Sequence, residues 1–273
     1  MPRASKIVSL MASLIILTAC AAQAAAARPL EVGVGEPGGA SFVMGRAVVE
    51  AASRAGLALR LAEGFNDETA IEMLAEGNLD FAVVGSDKLC QAVAGQGYWR
   101  GEPQTGLRAV CGLAAQEYFI DRAQADLLGP DDKGLRLRRA VAFPAISAGA
   151  GPNEPPPPRP AALIERAADG RLLARFVVLE PGQMARVVGY EPCLARMTIP
   201  PAFCRAPAGR AWAVRATLVT RADAPATLVE RLAKALAAAG PRLAKACPGL
   251  EPAALFSGLA APAHAALEAL PAR

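Results

Sequence analysis

Leu30-Glu31-Val32-Gly33-Val34-Gly35-Glu36-Pro37-Gly38-Gly39-Ala40-Ser41-Phe42 is the stretch on which the fold turns. Leu30–Val34 reads as a short strand and 35–39 as a glycine-rich turn. From Phe42 to Arg54 the apolar residues fall at helical spacing, with Ala47, Val48, Ala51, Ala52 and Ala55 on one face. A strand that hands over to a helix through a glycine turn opens a βα unit, and the pattern then repeats. Leu57, Leu59 and Leu61 alternate with small or charged neighbours, which predicts a strand over 57–62. Asn66 or Asp67 caps the next helix, and Glu68 in its first turn favours the helix dipole. Ile71, Leu74 and Ala75 form that helix's buried stripe, and Gly77 is a natural stop. Phe81–Val84 predicts a third strand, with Ser86 or Asp87 capping a third helix. This βαβαβα succession is the signature of a parallel sheet covered by helices, an α/β fold.

Downstream the pattern loosens. Arg108–Ala114 is an apolar strand candidate, Tyr118–Ile120 leads into a crossing connection, and Ala140–Phe143 is a further strand candidate. Residues 149–160 hold four consecutive prolines, which excludes a helix or a central strand and predicts a loop of polyproline character. Ala161–Ala168 has helical character, and Arg175–Leu179 reads as a strand. Order returns at Trp212–Thr220, a strand carrying Val214, Leu218 and Val219. Asp223-Ala224-Pro225 then opens a long amphipathic helix with Leu228, Leu232, Ala235 and Leu236 on one face. No internal repeat of fixed period is present.

Composition agrees with a packed α/β chain. The 273 residues are 53% hydrophobic and 20% charged, which excludes a disordered chain, and aromatics are only 5%. Gly (25) and Pro (23) point to an Ala/Val/Leu core cut by many turns. The formal charge of +4 falls to +2 without Arg3 and Lys6, and no basic stripe concentrates it, so nucleic acid is not an expected partner.

Residues 1–27 read as a leader rather than as fold. Arg3 and Lys6 give a positive start, Ile7–Leu17 an apolar stretch too short to span a bilayer, and small residues follow. Leu17-Thr18-Ala19-Cys20 fits a bacterial lipobox, with Cys20 as the lipidated residue. Ala22-Gln23-Ala24 fits ordinary signal cleavage equally well. Both place the mature chain in the periplasm, with Cys20 as the candidate lipid anchor.

Cys90, Cys111, Cys193, Cys204 and Cys247 remain after the leader, and in an oxidising compartment they are disulfide candidates. Their spacing fits no zinc site, since there is no C-x-x-C and His264 is the single histidine. Cys193 and Cys204, eleven apart in a Pro-rich segment, are the easiest pair to close. Cys90 with Cys111 is a second pair, which leaves Cys247 alone. The alternative is that these residues are small buried hydrophobes.

Gly33, Gly35 and Gly38 formally satisfy G-x-G-x-x-G between a strand and a helix, with Glu63 near the position of a ribose-binding acid. Pro37, the extra Gly39 and an exported location weigh against a dinucleotide. What survives is the physics of a helix N-terminus, whose free N–H groups suit an anion. Enzyme chemistry finds little support, because there is no G-x-S-x-G elbow, no cluster of metal-ligand types, and only His264 to act as a base. No cofactor is called for.

The glycine turn of 30–42 resembles the opening of the TAXI-type solute receptors of TRAP transporters, a strand, a G-x-G-x-P-G-G turn and a helix. The likeness continues in the Asn-containing acidic helix start at 66–72 and in Glu76-Gly77-Asn78-Leu79-Asp80-Phe81-Ala82-Val83-Val84-Gly85-Ser86-Asp87. It resumes at Met197-Thr198-Ile199-Pro200 and at 216–223, with Pro262-Ala263-His264 as a faint echo near the end. The resemblance implies a periplasmic-binding-protein-like fold of two lobes, with parallel-rich sheets covered by helices. The first lobe would be 28–118 plus 212–273, and the second, reduced one would be 119–211. It also implies capture of a small organic anion, a carboxylate or amino acid, for the membrane subunits of a TRAP transporter. The site residues carried over are Gly38, Gly39, Ser41 and Phe42 from the first turn, Phe65 and Asn66 from the second, and Ser86 and Asp87 from the third. Capping by Asn66, Ser86 and Asp87, turn geometry at Gly38 and Gly39, and core packing of Phe42 and Phe65 are the alternatives. The short second segment supports a rival reading, a degenerate receptor that serves as a periplasmic adaptor or sensory partner without a solute.

Overall fold

Three βα units lead the chain, as their periodicity predicts. The computed structural model describes residues 28–128, 135–138, 162–168, 171–179, 193–204 and 209–268. The leader with Cys20, the strand candidate at 140–143 and the proline-rich loop at 149–160 lie outside these residues. β1 (Leu30–Gly33), α1 (Ala40–Arg54), β2 (Leu59–Ala62), α2 (Asp67–Ala75), β3 (Phe81–Gly85) and α3 (Ser86–Ala94) follow in order. β1 pairs in parallel with both β2 and β3. Every residue of β3 is buried, as a strand covered on both faces requires.

Two long strands carry the sheet onward. β4 (Leu107–Asp121) and β9 (Arg210–Arg221) pair antiparallel with each other, and β9 also pairs antiparallel with β3. Beyond them lie β7 (Arg171–Leu179), parallel to β4, and then β6 (Ala162–Ala168) and β5 (Leu135–Arg138), both antiparallel. The order is β2-β1-β3-β9-β4-β7-β6-β5, with the short β8 (Ala195–Thr198) paired to β9 off that path. The fold is mixed α/β, one connected sheet with helices against it. The expected lobe boundaries at 118/119 and 211/212 fall inside β4 and β9, so any two lobes share these strands.

The segment expected to be helical at 161–168 is instead β6. It pairs with β7 from Ala162↔Val178 to Ala168↔Arg171. This antiparallel pairing, a contact with another strand, outweighs the local Ala-rich helix propensity.

Apolar side chains divide by sheet face. α1 and α5 (Ala226–Ala246, which follows the short α4 at Arg122–Leu127) bury Val48, Leu232 and Leu236 against Val32, Phe81 and Leu218. α2 and α3 bury Ile71, Leu74 and Leu89, with Trp99, against Ala82, Val84 and Val219. Toward β7 a separate core gathers Tyr118, Phe176 and Phe203, with Tyr118 stacked on Phe176 at 5.2 Å between ring centres.

Register shifts interrupt β4 opposite β9, between Ala109 and Cys111 and again on either side of Ala115. Such bulges release backbone groups from the ladder and bend the strand. Here the released groups find partners elsewhere. The Gly112 N–H donates to the Leu255 carbonyl (2.8 Å), drawing the C-terminal segment across the sheet.

Candidate functional site

The three strand-to-helix turns lie side by side. Gly38 adopts φ +85°, which favours glycine, and Gly39 precedes α1 in extended conformation without a side-chain cap. The Ser41 hydroxyl accepts the Gly35 N–H (3.0 Å), and the Phe65 N–H donates to the Val34 carbonyl (3.1 Å), tying the first turn to the second. Phe42 packs partly buried on the α1 core, and Phe65 on the core beneath α2 and α3. Asn66 caps α2, its Oδ1 accepting the Thr69 N–H at 2.7 Å.

Asp67, named in the sequence only as a possible cap, has a different task. Its Oδ2 accepts the Gly85 N–H (2.8 Å) and so fastens the second turn to the third. A side chain at Gly85 would come within 2.6 Å of Asp87 Oδ1 and 2.9 Å of Asp67 Oδ2, so glycine allows both carboxylates to approach one point. Burial, and after it the Asp87 charge, push Asp67 up to about 7. Burial also raises Asp87. Lys88 pairs with Glu68 at 2.6 Å beside them. This edge is acidic.

Ser86 does not cap α3. Its hydroxyl accepts the backbone N–H of Arg215 (3.0 Å) from β9, and Gly85 stands at the cap position. Of the eight residues carried over, Ser86 alone lines a cavity of about 490 Å³ on the β9 side. That cavity is walled by 193–197 around β8, by Arg210 and Arg215 of β9, and by the C-terminal segment from Glu251 to Ala260. Its volume falls in the range of small-ligand sites. It therefore draws on segments that the resemblance assigns to both lobes.

Arg215 is the residue sequence reasoning missed. Only 7% exposed, its guanidinium donates to four carbonyls: Leu113 (3.1 Å), Gly112 (3.0 Å), Ala254 (2.6 Å) and Ser257 (2.7 Å). Two of these acceptors are in the bulged part of β4, and two belong to the C-terminal segment. The guanidinium lies so close over Gly112 that a Cβ there would meet it at 2.1 Å. Burial lowers its pKa, yet an arginine stays charged in a protein. No carboxylate among the described residues pairs with it. One of its five N–H groups, on Nη1, is left over, and the positive charge borders the cavity. A charged residue amid Ala213-Val214 and Ala216-Thr217 was the available signal, since an unpaired arginine in an apolar strand is rarely buried.

The disulfide joins Cys90 to Cys193, with Cα atoms 6.0 Å apart, and corrects the expected Cys193–Cys204 pairing. β8 runs between Cys193 and Cys204 and carries them apart. Cys193 comes to the cavity wall opposite α3, whereas Cys204 packs on the Tyr118 and Phe176 core. Cys111, the expected partner of Cys90, is buried beneath α1 and α5, as is Cys247. His264 is also buried, and its Nδ1 accepts the Ala266 N–H (3.2 Å), capping the turn at 265–267. Among the described residues no helix is long and apolar enough to cross a membrane, and no group of His, Cys, Asp and Glu could hold a metal.

No family profile and no curated protein matches this chain. Solved structures do show some similarity. A TctC solute binding protein from Polaromonas aligns at 16% identity and TM-score 0.43, covering 86% of this chain and 92% of its own. A nutrient binding protein from Burkholderia cenocepacia bound to methionine gives 13% and 0.39, covering 83% and 98%. A periplasmic substrate-binding protein of an ABC transporter from Coxiella burnetii gives 16% and 0.35, covering 80% and 94%.

Proposed function

We propose that this chain is an exported, periplasmic solute receptor that captures a small organic anion and presents it to the membrane subunits of a TAXI-type TRAP transporter. The observation that carries this reading is the buried Arg215 charge, without a carboxylate partner, at the border of a cavity about 490 Å³ in volume. Burying a charge is costly; the Glu251 carboxylate in the same lining acts on Arg215 without forming an ion pair with it, and an anionic ligand would add a direct counter-ion from outside the chain. Ser86 adds a hydroxyl, which accepts from Arg215 and keeps its own hydrogen for a ligand oxygen. The other residues carried over belong to the neighbouring turns, and Asp67 ties the second of these to Gly85 beside Ser86.

In this reading 28–118 with 212–273 forms one lobe and 119–211 the other, and β4 and β9 run through both as the strands about which they would close. The leader of 1–27 directs export, with Cys20 as lipid anchor. A thermal-shift screen of the mature chain against carboxylates and amino acids tests the reading. A ligand at a hundredfold excess over its Kd raises stability by about 2.7 kcal/mol. A flat response to every anion would leave Arg215 as a strut between β4 and the C-terminal segment. That result favours the adaptor reading.

A further inference from the structure

We infer that the Cys90–Cys193 disulfide is a redox latch on the cavity wall, opened by a dithiol reductant and reclosed by oxidation. This inference concerns the regulation of the same cavity and rests on the receptor reading for its consequence. Ser86 and Cys90 stand four residues apart on α3, and so on one face of that helix. Ser86 lines the cavity, and so does Cys193, the partner of Cys90. The bridge therefore leaves α3 one helical turn from the hydroxyl that holds the Arg215 N–H. In the two-lobe reading it also joins the first lobe to the second.

Around the cavity the tethers form a closed ring. α3 holds β9 through the Ser86 hydroxyl and the Arg215 N–H (3.0 Å). β9 holds β8 from Ala195↔Ala213 to Thr198↔Arg210, and among the described residues β8 has no other strand beside it. Two residues before β8, Cys193 returns to α3 through the covalent bridge. Cutting the bridge leaves 193–197 held by that short pairing and by the burial of Leu194, which keep the segment near without fixing its start against α3. Both cysteines are half-buried, so a small reductant reaches them. One thiolate of the dithiol attacks a bridge sulfur, forming a mixed disulfide and expelling the other cysteine as a thiolate that takes up a proton. The dithiol's second thiolate then attacks the mixed disulfide, closes its own disulfide and releases the remaining cysteine, which is protonated in turn. Two electrons and two protons pass to Cys90 and Cys193. The remaining tethers hold the two thiols close, which favours reoxidation. A loosened wall lowers the fraction of molecules with an assembled cavity, and the apparent affinity for a solute falls by that fraction.

Hydrogen-exchange mass spectrometry of the full mature chain, without denaturant, before and after treatment with dithiothreitol tests this. Alkylation and peptide mapping report whether Cys90 and Cys193 have been reduced. In the reduced chain the amides of 194–198 should exchange roughly tenfold faster, while those of β1 and β3 keep their rates. Reoxidation should restore the slow rates, and the Cys90→Ser/Cys193→Ser variant should show the fast pattern with or without the reductant. A bridge that dithiothreitol reduces only after denaturation would overturn the latch. So would a reduced chain whose 194–198 amides are unchanged, or rates that stay fast once the bridge has re-formed. Faster exchange throughout β1 and β3 would overturn it too, because the bridge would then staple the whole fold. None of these readouts needs a solute, so failure of the latch is distinct from a flat thermal-shift screen, which bears on the receptor reading.

Discussion

Two buried clusters of charge flank Ser86, and they handle the cost of burial in opposite ways. At the turn edge Asp67 and Asp87 carry like charges near one glycine, and the burden is relieved by a proton, with Asp67 raised to about 7. At the cavity Arg215 keeps its charge, because guanidinium does not give up its proton, and four carbonyls solvate it in place of water. The acidic cluster can thus adjust by itself as pH changes, whereas the basic one stays positive. That difference moves the expected ligand contact from the glycine turn toward β9. The N-termini of α2 and α3, though helix N-termini suit anions in general, carry acidic residues in their first turns, whereas that of α1 carries none.

The sharpest way to break this contrast is Arg215→Met. Four buried carbonyls would lose their donors, and hydrogen bonds to charged groups are worth more than neutral ones. We expect a loss on the order of 5 kcal/mol in urea denaturation; a change below about 1 kcal/mol would mean the guanidinium does not organise the sheet. Next in size is the Cys90–Cys193 bridge, which links the acidic side, through α3, to the cavity wall. It closes a sequence separation of 103 residues. Reduction, or Cys90→Ser with Cys193→Ser, should cost about 4.7 kcal/mol in the chain-entropy account, read as a lower calorimetric Tm. Full stability after reduction would show that the two sides are held together by packing alone.

Gly112→Ala presses on the basic cluster without deleting it. The added methyl would meet the guanidinium at 2.1–2.5 Å, so Arg215 or the bulge must shift, at about 2–3 kcal/mol in chemical denaturation. An unperturbed variant would contradict the tight seating of Arg215.

The smallest effect belongs to the acidic cluster. Asp67 binds its proton more tightly folded than unfolded, so between about pH 4 and about pH 7 the folded state holds the extra proton. Stability therefore falls as pH rises through that window, by on the order of 1–2 kcal/mol for a carboxyl on a partly buried residue. Asp67→Asn keeps an acceptor for the Gly85 N–H and should flatten this slope. A wild-type curve that rises from pH 4 to pH 7, with the variant's curve unchanged from it, would contradict the shared-burial account of Asp67 and Asp87.

Local signals made the first half of the fold legible. The glycine turn, the Asn66 cap and the fully apolar β3 all report their own conformation through neighbours in sequence, and the three βα units stand where periodicity puts them. Ser86 stands out in the sequence because it follows a strand and starts a helix, and the structure places it in the cavity lining. What escaped depends on distant partners. Arg215 is meaningful only once β4 bulges at Gly112 and the segment at 254–257 crosses the sheet to accept from it. The Cys90–Cys193 bridge spans two segments whose approach is created by β9, so a choice based on chain spacing selected Cys204 instead. The segment 161–168 has helical composition, and only the hairpin with β7 makes it a strand.

The claim that an anion completes the charge of Arg215 is tested most directly by a crystal structure of the mature chain grown with succinate. The account predicts a carboxylate with one oxygen within hydrogen-bond distance of Arg215 Nη1 and the Ser86 hydroxyl. Succinate bound instead at the Gly38-Gly39 turn, with the Arg215 cavity holding only water, would contradict it.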